Sequence, residues 1–408
     1  MATAAREITQ ADVLRAREAI ADVVRHTPVL PSVTLSARAG AQVALKAESL
    51  QRTGSFKIRG ALAKLHALGD ACAPGVVTGS AGNHAQALAA AAHARGVRCE
   101  VFMPATAPLA KIEGAEELGA TVRLVGENVA ECISAALARA AEAGMGFVHP
   151  FDDPDVVAGQ GTLGLELLED VDDLAQVIVP VGGGGLASGI AIAVKSARPD
   201  VRVIGVQVEA MAPTVAAWHG EQVLDAPPAL TIADGIAVKR PGELTLPLLR
   251  RWVDDMVTVA DDDVAEAMVV LMEKAKLVVE GAGAVGAAAV LGGQVAASPS
   301  GTTVVVLSGG NVDAGLLAEV ARRHETEAGR RLALLTRVSD RPGSLAKLLT
   351  LIAQAGANIV EVEHVREGLD LHVRETGVQL VLETRGPDHA RAVLDAIAAA
   401  GYDARTLR

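Results

Sequence analysis

One lysine of this chain has neighbours that could make it reactive. Lys57 lies in the sequence SFKIRG, between Phe56 and Ile58, where the pattern predicts the start of a helix after Thr53 and Gly54. Apolar neighbours and a helix N-terminus both disfavour the ammonium form, so we expect a lowered pKa and an amine that can act as a nucleophile or a base. Many surface lysines have similar neighbours, so this motif does not decide the function by itself.

A run of four glycines suggests a phosphate site. The sequence VGGGGLASG, residues 181–189, follows a predicted buried strand and opens a predicted helix. Successive residues without side chains leave their N–H groups free to converge on an anion, and the helix dipole adds favourable potential. The alternative is a tight turn that needs a positive φ. We therefore predict a phosphate cradle here.

The same run also fits a second kind of site. Gly182, Gly184 and Ala187 match the GxGxxG/A fingerprint of dinucleotide-binding proteins, and Glu209 ends the next predicted strand, where a ribose-binding acid would lie. An NAD-dependent oxidoreductase is thus an alternative. It has no preceding nucleotide-binding half in the sequence and gives Lys57 no role.

Two further turns follow predicted strands. SAGNHAQ, residues 80–86, lies between the strand GVVTGS and an alanine-rich helix, and SGGN, residues 308–311, follows the strand TTVVVLS. The first turn offers backbone donors for a carboxylate, and Asn83 adds a side-chain amide, while His84 is either a ligand or a structural residue. Ser308 should face the same crevice as the glycines, because ligands bind at the carboxyl ends of parallel strands.

The elements that must position these residues alternate in type. Between residues 45 and 307, short runs of Val and Ile end in glycine-rich turns and alternate with alanine-rich stretches of helical length. This rhythm predicts an α/β fold with an open, twisted parallel sheet in two lobes, the smaller lobe covering about residues 55–150. Six strands are predicted, within residues 75–80, 97–104, 121–125, 176–181, 201–209 and 302–308.

Composition excludes several classes of protein. The 408 residues are 50% hydrophobic with a net charge of −12, which disfavours nucleic acids and anionic membranes as partners. The three cysteines are too few for a disulfide framework, so we expect a reducing, cytoplasmic environment. Residues 281–312 carry no charge, but glycines, serines and a proline at their middle predict a helix, a turn and a strand rather than a membrane span.

The last quarter of the chain predicts a separate unit. A charged stretch at 322–330 is interpreted as a linker between a catalytic domain, residues 1–321, and a C-terminal domain, residues 331–408. The order of elements in the latter is βαββαβ, which is typical of a ferredoxin-like fold.

Seven motifs together resemble one family. The sequences SFKIRGA, SAGNHAQ, FDDPDVVAGQGT, VGGGGLASG, ADGIAV, VEGAGA and SGGN occur in this order within about residues 8–320. They closely resemble the threonine and serine dehydratases of the fold type II pyridoxal-phosphate family, whose fold is similar to that of the tryptophan synthase beta subunit. The C-terminal domain, with SDRPGSL at 339–345, resembles an ACT domain.

The resemblance implies a cofactor, a reaction and residue roles. Pyridoxal 5'-phosphate would be joined to Lys57, which later removes the Cα proton, in a β-elimination that turns L-threonine into 2-oxobutanoate and ammonia and L-serine into pyruvate. Phe56 would flank the cofactor ring, Asn83 would bond its hydroxyl oxygen and Ser308 would meet its nitrogen. The phosphate would lie on Gly182, Gly183, Gly184, Gly185 and Leu186, and the substrate carboxylate on Ser80, Ala81, Gly82, Asn83 and His84.

Two positions depart from related enzymes. Racemases of the family carry a proton-donating serine where this chain has Ala81, so we rank dehydration above serine or threonine racemisation. Some relatives bind a divalent cation near the equivalent of Glu209, but Pro213 and Val215 stand where further ligands are expected, so no metal site is predicted.

The resemblance of the C-terminal domain implies regulation. Such domains bind amino-acid effectors, which would place isoleucine, opposed by valine, near Arg341, Gly343, Ser344, Leu345 and Asn358. This suggests the first step of isoleucine biosynthesis in a homodimer or homotetramer. A degradative serine dehydratase, a domain that only dimerises, and an amino-acid sensor without catalytic activity are the alternatives.

Overall fold

The chain folds into two compact units, Met1–Val312 and Asp313–Arg408. The computed structural model describes residues 7–221, 229–367 and 371–407. In this described part, no helix is both long enough and apolar enough to cross a membrane. Cys72, Cys99 and Cys132 are buried free thiols.

The larger sheet of the first unit has six strands in the order β1-β2-β10-β7-β8-β9. All neighbours are parallel except β1 and β2, which form an antiparallel edge pair. The strands are β1 (Val29–Pro31), β2 (Val43–Ala47), β7 (Leu174–Pro180), β8 (Arg202–Val208), β9 (Asp255–Val259) and β10 (Thr302–Leu307).

The smaller sheet lies between β2 and β7 in the chain. Its four strands are parallel and have the order β5-β4-β3-β6. They are β3 (Val76–Gly79), β4 (Cys99–Met103), β5 (Thr121–Leu124) and β6 (Gly146–Phe147). The predicted α/β fold with two parallel sheets is therefore confirmed, and each of the six predicted strands overlaps an observed one.

Twelve α-helices connect these strands in the described part of the first unit. They are α1 (Gln10–Ile20), α2 (Val33–Ala39), α3 (Lys57–Leu68), α4 (Asn83–Ala94), α5 (Leu109–Glu116), α6 (Val129–Ala143), α7 (Pro154–Asp170), α8 (Gly185–Ala197), α9 (Pro213–Trp218), α10 (Thr245–Trp252), α11 (Asp261–Val270) and α12 (Gly281–Leu291). Short 3-10 turns occur at Glu48–Leu50, Gly69–Cys72, Glu209–Met211 and Asp234–Ile236, and a π-helical turn at Leu271–Ala275.

Both faces of the larger sheet are covered. Val177 and Val179 of β7 belong to the same buried cluster as apolar residues of α8. Ile178, which alternates with them, faces α12, where a Cβ on Gly286 would lie 3.3 Å from its Cγ2 atom. A sheet covered on both faces explains why its strands are runs of Val and Ile rather than an alternation with polar residues. The uncharged segment 281–312 supplies α12 and β10, as predicted.

The second unit has the predicted βαββαβ order. After α13 (Ala314–Glu327) come β11 (Arg331–Ser339), α14 (Ser344–Gln354), β12 (Asn358–Val365), β13 (Glu375–Glu383), α15 (Pro387–Ala399) and β14 (Ala404–Leu407). The sheet is antiparallel, in the order β12-β13-β11-β14. Helix α13 includes residues 322–327, so the first part of the predicted linker is helical in this structure.

Candidate active site

A backbone contact places Lys57 beside Ser308. The Phe56 N–H donates to the Ser308 carbonyl oxygen at 3.1 Å, and the Gly310 N–H donates to the Gly54 carbonyl oxygen at 2.8 Å. The segment before α3 is thus paired with the segment after β10. Because α3 begins at Lys57, as predicted, this pairing brings the lysine to the carboxyl end of the larger sheet.

Lys57 is partly buried. Its Nζ donates to the Pro150 carbonyl oxygen at 2.8 Å and lies 5.1 Å from the centre of the Phe56 ring. Loss of hydration lowers the pKa of Lys57 to about 8, and the negative charge of Glu280 partly opposes this shift. The expected lowering of this pKa is confirmed, and a sizeable fraction of the amine is neutral near physiological pH.

The tetraglycine loop connects β7 to α8 and has no room for side chains. A Cβ on Gly183 would lie 2.2 Å from the Phe151 ring, and one on Gly185 would lie 2.8 Å from the Phe151 carbonyl oxygen. Gly184 has a φ of +95°, which residues with side chains rarely adopt. Close approach and backbone conformation together therefore require glycine in this loop.

Two threonine hydroxyls orient the peptide groups of this loop. Thr214 Oγ1 donates to the Gly182 carbonyl oxygen at 2.7 Å, and Thr245 Oγ1 donates to the Gly183 carbonyl oxygen. In a trans peptide the next N–H points opposite to the carbonyl. The N–H groups of Gly183 and Gly184 consequently point away from the threonines. Since α8 begins at Gly185, its N-terminus adds positive potential at the same place.

The turn that begins at Ser80 follows β3, as the sequence predicted, and α4 begins at Asn83, within the SAGNHAQ motif. The Asn83 side chain lines the cavity described below. The His84 ring is 2% exposed, and its Nε2 atom contacts the Val148 carbonyl oxygen at 3.1 Å. Burial, and then the charge of Lys57, lower the pKa of His84 to about 3, so this imidazole is neutral. Of the five predicted carboxylate-binding residues, only Asn83 lines the cavity.

One cavity contains all the residues that were predicted to hold the cofactor. Its lining consists of Phe56, Lys57, Asn83, Pro150, Phe151, Gln160, Pro180, Gly182, Gly183, Gly184, Gly185, Leu186, Gly235, Ile236, Val238, Glu280, Ala282 and Ser308. These residues come from segments far apart in the chain. The fold therefore assembles the predicted cofactor-binding residues, although their individual roles stay predictions.

The prediction missed Glu280. This residue precedes α12, is 6% exposed, and accepts a hydrogen bond of 2.6 Å from Asn83 Nδ2 to its Oε1 atom. Burial, and then the negative charge of Asp234, raise the pKa of Glu280 to about 7, although Asn83, Lys111 and Lys57 act in the opposite direction. One signal was present in the sequence, since Glu280 is the charged residue immediately before the uncharged segment 281–312.

The residues in the cavity fit pyridoxal phosphate. A glycine loop at the N-terminus of a helix suits the phosphate, and a partly buried lysine amine with a lowered pKa suits the aldehyde. Ser308 is 3% exposed and offers a neutral hydroxyl at the strand end. Comparison with known proteins agrees, because residues 20–309 match the family described as pyridoxal-phosphate dependent enzyme.

The chain belongs to this pyridoxal-phosphate-dependent enzyme family. It is 43% identical to an L-threonine ammonia-lyase of Thermotoga maritima, covering 98% of this chain and 99% of the relative. Among solved structures, a threonine deaminase from T.th. is 41% identical with a TM-score of 0.70, covering 75% of this chain and 99% of that one. Maize serine racemase is 34% identical with a TM-score of 0.74, covering 79% and 99%.

Membership in this family does not support the dinucleotide alternative. The glycines that match the GxGxxG/A pattern lie in the same cavity as Lys57, whereas Glu209 is exposed in the turn after β8. Pro213 and Val215 lie in α9 and carry no ligand atoms in their side chains. Within the described residues, no group of three or more His, Cys, Asp or Glu side chains has the arrangement of a metal site.

The second unit also matches a family, since residues 333–401 match the ACT domain. Arg341 and Gly343 lie in the turn between β11 and α14, and Ser344 begins α14. Leu345 packs against the core of this unit, and Asn358 Nδ2 donates to Glu383 at 3.1 Å. The turn and the start of β12 are therefore where the sequence placed them, and their binding of an effector stays a prediction.

Proposed function

We propose that this chain is a pyridoxal-phosphate-dependent threonine ammonia-lyase, which converts L-threonine to 2-oxobutanoate and ammonia and also accepts L-serine. The observation that carries the proposal is the single cavity that Lys57, Asn83, Ser308 and the tetraglycine loop share. The identity to L-threonine ammonia-lyase over almost the whole chain supports the choice of substrate.

Each group in the cavity has a separate task in this proposal. Bound pyridoxal phosphate supplies an electron-withdrawing ring that makes the substrate Cα proton more acidic. The Lys57 amine is desolvated and partly neutral, so its Nζ can accept a proton at neutral pH. The N–H groups of the glycine loop hold a phosphate without needing a side-chain charge. Ser308 offers a hydroxyl, and an uncharged group does not hold a ring nitrogen in its protonated form.

Racemisation is the second candidate, because maize serine racemase is among the similar structures. Ala81 argues against it as the main activity, since a methyl side chain has no proton to deliver to the opposite face of a substrate. Threonine and serine differ by one methyl group, which a pocket discriminates by about 1–3 kcal/mol, so turnover of both amino acids is expected.

The first experiment measures 2-oxo acid released from L-threonine by the wild type, Lys57→Ala and the control Lys195→Ala. Lys195 lies near the end of α8 and pairs with Asp254 at 2.7 Å, so it should be dispensable for catalysis. Borohydride reduction followed by peptide mass spectrometry should locate the pyridoxyl group on Lys57. A pyridoxyl group on another lysine, or 2-oxo acid release by Lys57→Ala at the wild-type rate, would contradict the proposal.

For the second unit we propose control by a branched-chain amino acid. Isoleucine as the inhibitor, with valine opposing it, would suit an enzyme that catalyses the first step of isoleucine biosynthesis. The proposal places this enzyme in the cytoplasm as a homodimer or homotetramer. The proposal divides the chain into a catalytic domain, residues 1–321, a linker, residues 322–330, and a regulatory domain, residues 331–408. The match to the ACT domain supports it.

The test of this control measures threonine turnover with and without isoleucine. Coupling between two sites is reciprocal, so saturating L-threonine should weaken isoleucine binding by the same factor. Arg341→Ala should weaken the response to isoleucine, while the control Arg391→Ala on α15 should not. Unchanged turnover at saturating isoleucine would contradict this part of the proposal.

A further inference from the structure

Glu280 lines the cavity but has no role in the proposed function. Its backbone N–H donates to the Gly309 carbonyl oxygen at 3.1 Å, next to Ser308. A Cβ on Gly309 would lie 2.3 Å from Glu280 Oε1, so the backbone of the SGGN turn packs directly against the carboxyl group. In the described part of the chain, no salt bridge to Glu280 is observed. A buried carboxyl group without an ion-pair partner is costly to keep, which suggests a function.

A chain of amide groups ends on this carboxyl group. Asn311 Nδ2 donates to Asn83 Oδ1 at 2.8 Å, and Asn83 Nδ2 donates to Glu280 Oε1 at 2.6 Å. Asn311 is itself held by the Thr53 carbonyl oxygen at 2.8 Å. A donor on one side and an acceptor on the other allow only one orientation of the Asn83 amide. Asn83 Nδ2 then has a second hydrogen, which is left to bond the cofactor.

We propose that Glu280 is a positioning residue, whose carboxyl group, together with Asn311, fixes the Asn83 amide so that its nitrogen donates toward the ring hydroxyl of the cofactor. The same carboxyl group lines the cavity together with Lys57, and its negative charge acts on that amine. This inference rests on the proposed function, because it requires pyridoxal phosphate in the cavity.

The charges around Glu280 determine how the site responds to pH. Asp234 disfavours its carboxylate, whereas Lys111 and Lys57 favour it, and Lys111 and Asp234 also pair with each other at 2.8 Å. With the pKa of Glu280 at about 7, this group gains its negative charge near neutral pH. The charge then stabilises a proton on the nitrogen that joins Lys57 to the cofactor.

The main test compares Glu280→Gln with the control Glu266→Gln, using the holoenzymes without substrate. Glu266 lies on α11 and is 47% exposed, so its carboxylate should not affect the site. The pH titration of the visible absorption band of the bound cofactor should shift by about one pH unit toward acid in Glu280→Gln, because a nearby negative charge is lost. The control should titrate like the wild type. A Glu280→Gln titration identical to that of the wild type would overturn the inference.

A second variant separates orientation from charge. Asn311→Ala removes the other support of the Asn83 amide without changing any charge. It should weaken cofactor binding about tenfold, the equivalent of one hydrogen bond, and leave the midpoint of the titration unchanged. In a double-mutant cycle of cofactor dissociation constants, Asn311→Ala and Asn83→Ala should not be additive. Additive effects would overturn the positioning role, even if Glu280→Gln failed to fold.

These measurements need no turnover of L-threonine. An enzyme that binds the cofactor and shows the shift, but does not release 2-oxobutanoate, would contradict the proposed activity while supporting the role of Glu280. An enzyme that turns over L-threonine and shows no shift would support the proposed activity and contradict the role of Glu280.

Discussion

The strongest stability prediction concerns a buried charge network beside the active site. Arg59 lies two residues after Lys57 and is completely buried. Its guanidinium bonds both carboxylate oxygens of Glu48 at 2.8 Å, and those of Glu166 at 2.6 and 3.0 Å. Lys46 Nζ also contacts Glu166, at 2.7 Å. The network joins β2, α3 and α7, so it supports the helix that carries Lys57.

Arg59→Met removes one cation and leaves the buried carboxylate of Glu48 without its ion-pair partner, whereas Glu166 keeps its contact with Lys46. Although burial alone would raise the pKa of Glu48, Arg59 keeps it below its usual value, so Glu48 is ionised in the wild type. Removing one partner of such a buried pair costs about 3–5 kcal/mol. The matched control is Arg17→Met, whose bidentate partner Glu169 is 44% exposed and whose loss should cost about 0–1 kcal/mol.

Urea unfolding, followed by tryptophan fluorescence, measures both variants. The chain has two tryptophans, Trp218 and Trp252, and both lie in the first unit, so the signal reports on that unit. Adding Glu48→Gln to Arg59→Met removes one unpaired carboxylate and should recover at least about 1 kcal/mol. If Arg59→Met were no less stable than Arg17→Met, the argument from buried charge would be wrong.

Two other predictions concern the glycine loop and a buried imidazole. Gly183→Ala would place a Cβ 2.2 Å from the Phe151 ring. Because such overpacking costs about 1–3 kcal/mol, the substitution should weaken cofactor binding about tenfold or more, as measured by equilibrium dialysis. Phe151→Ala added to Gly183→Ala should restore part of the affinity, and an unchanged dissociation constant in the single variant would refute the prediction. His84, with its folded-state pKa lowered to about 3, stays neutral when the unfolded chain takes up a proton below about pH 6.5. The stability that His84 contributes above that pH is therefore lost on acidification, by about 2 kcal/mol between pH 7 and 5, whereas Glu280, with its raised pKa, acts in the opposite direction. The difference in unfolding free energy between the wild type and His84→Asn, measured by urea unfolding, should therefore fall by about 2 kcal/mol from pH 7 to pH 5, and an equal difference at both pH values would count against the prediction.

Local patterns in the sequence predicted most of the first unit. The central strands are runs of Val and Ile long enough to be recognised, and the turns after them are rich in glycine. The strands that the prediction missed lack this signal. β1 has three residues, β2 carries Lys46 as its fourth residue, β6 has two residues, and β9 begins with an aspartate. Lys46 is tolerated inside a sheet because its amine reaches Glu166 and Asp170, which no local pattern records.

The residues of the candidate site also fall into those that the sequence identified and those that it did not. Lys57, Asn83, the tetraglycine loop and Ser308 could be named from the sequence, because each lies in a short motif whose residue types suit a specific task. Glu280 could not be given a role, because its function depends on Asn83, which is 197 residues away in the chain. His84 was assigned to the substrate turn, but its ring points to Val148 and not into the cavity.

The sequence by itself determined the central strands with a clear apolar pattern, where glycine must stand, and which residue types can hold a phosphate and an aldehyde. These properties follow from backbone geometry and local hydrophobic pattern, which act over a few residues. Only the tertiary structure decided which groups lose their water and which charges meet. The lowered pKa of Lys57, the raised pKa of Glu280 and the buried pairs of Arg59 all depend on this, because desolvation and Coulomb energies are set by distances between segments remote in sequence.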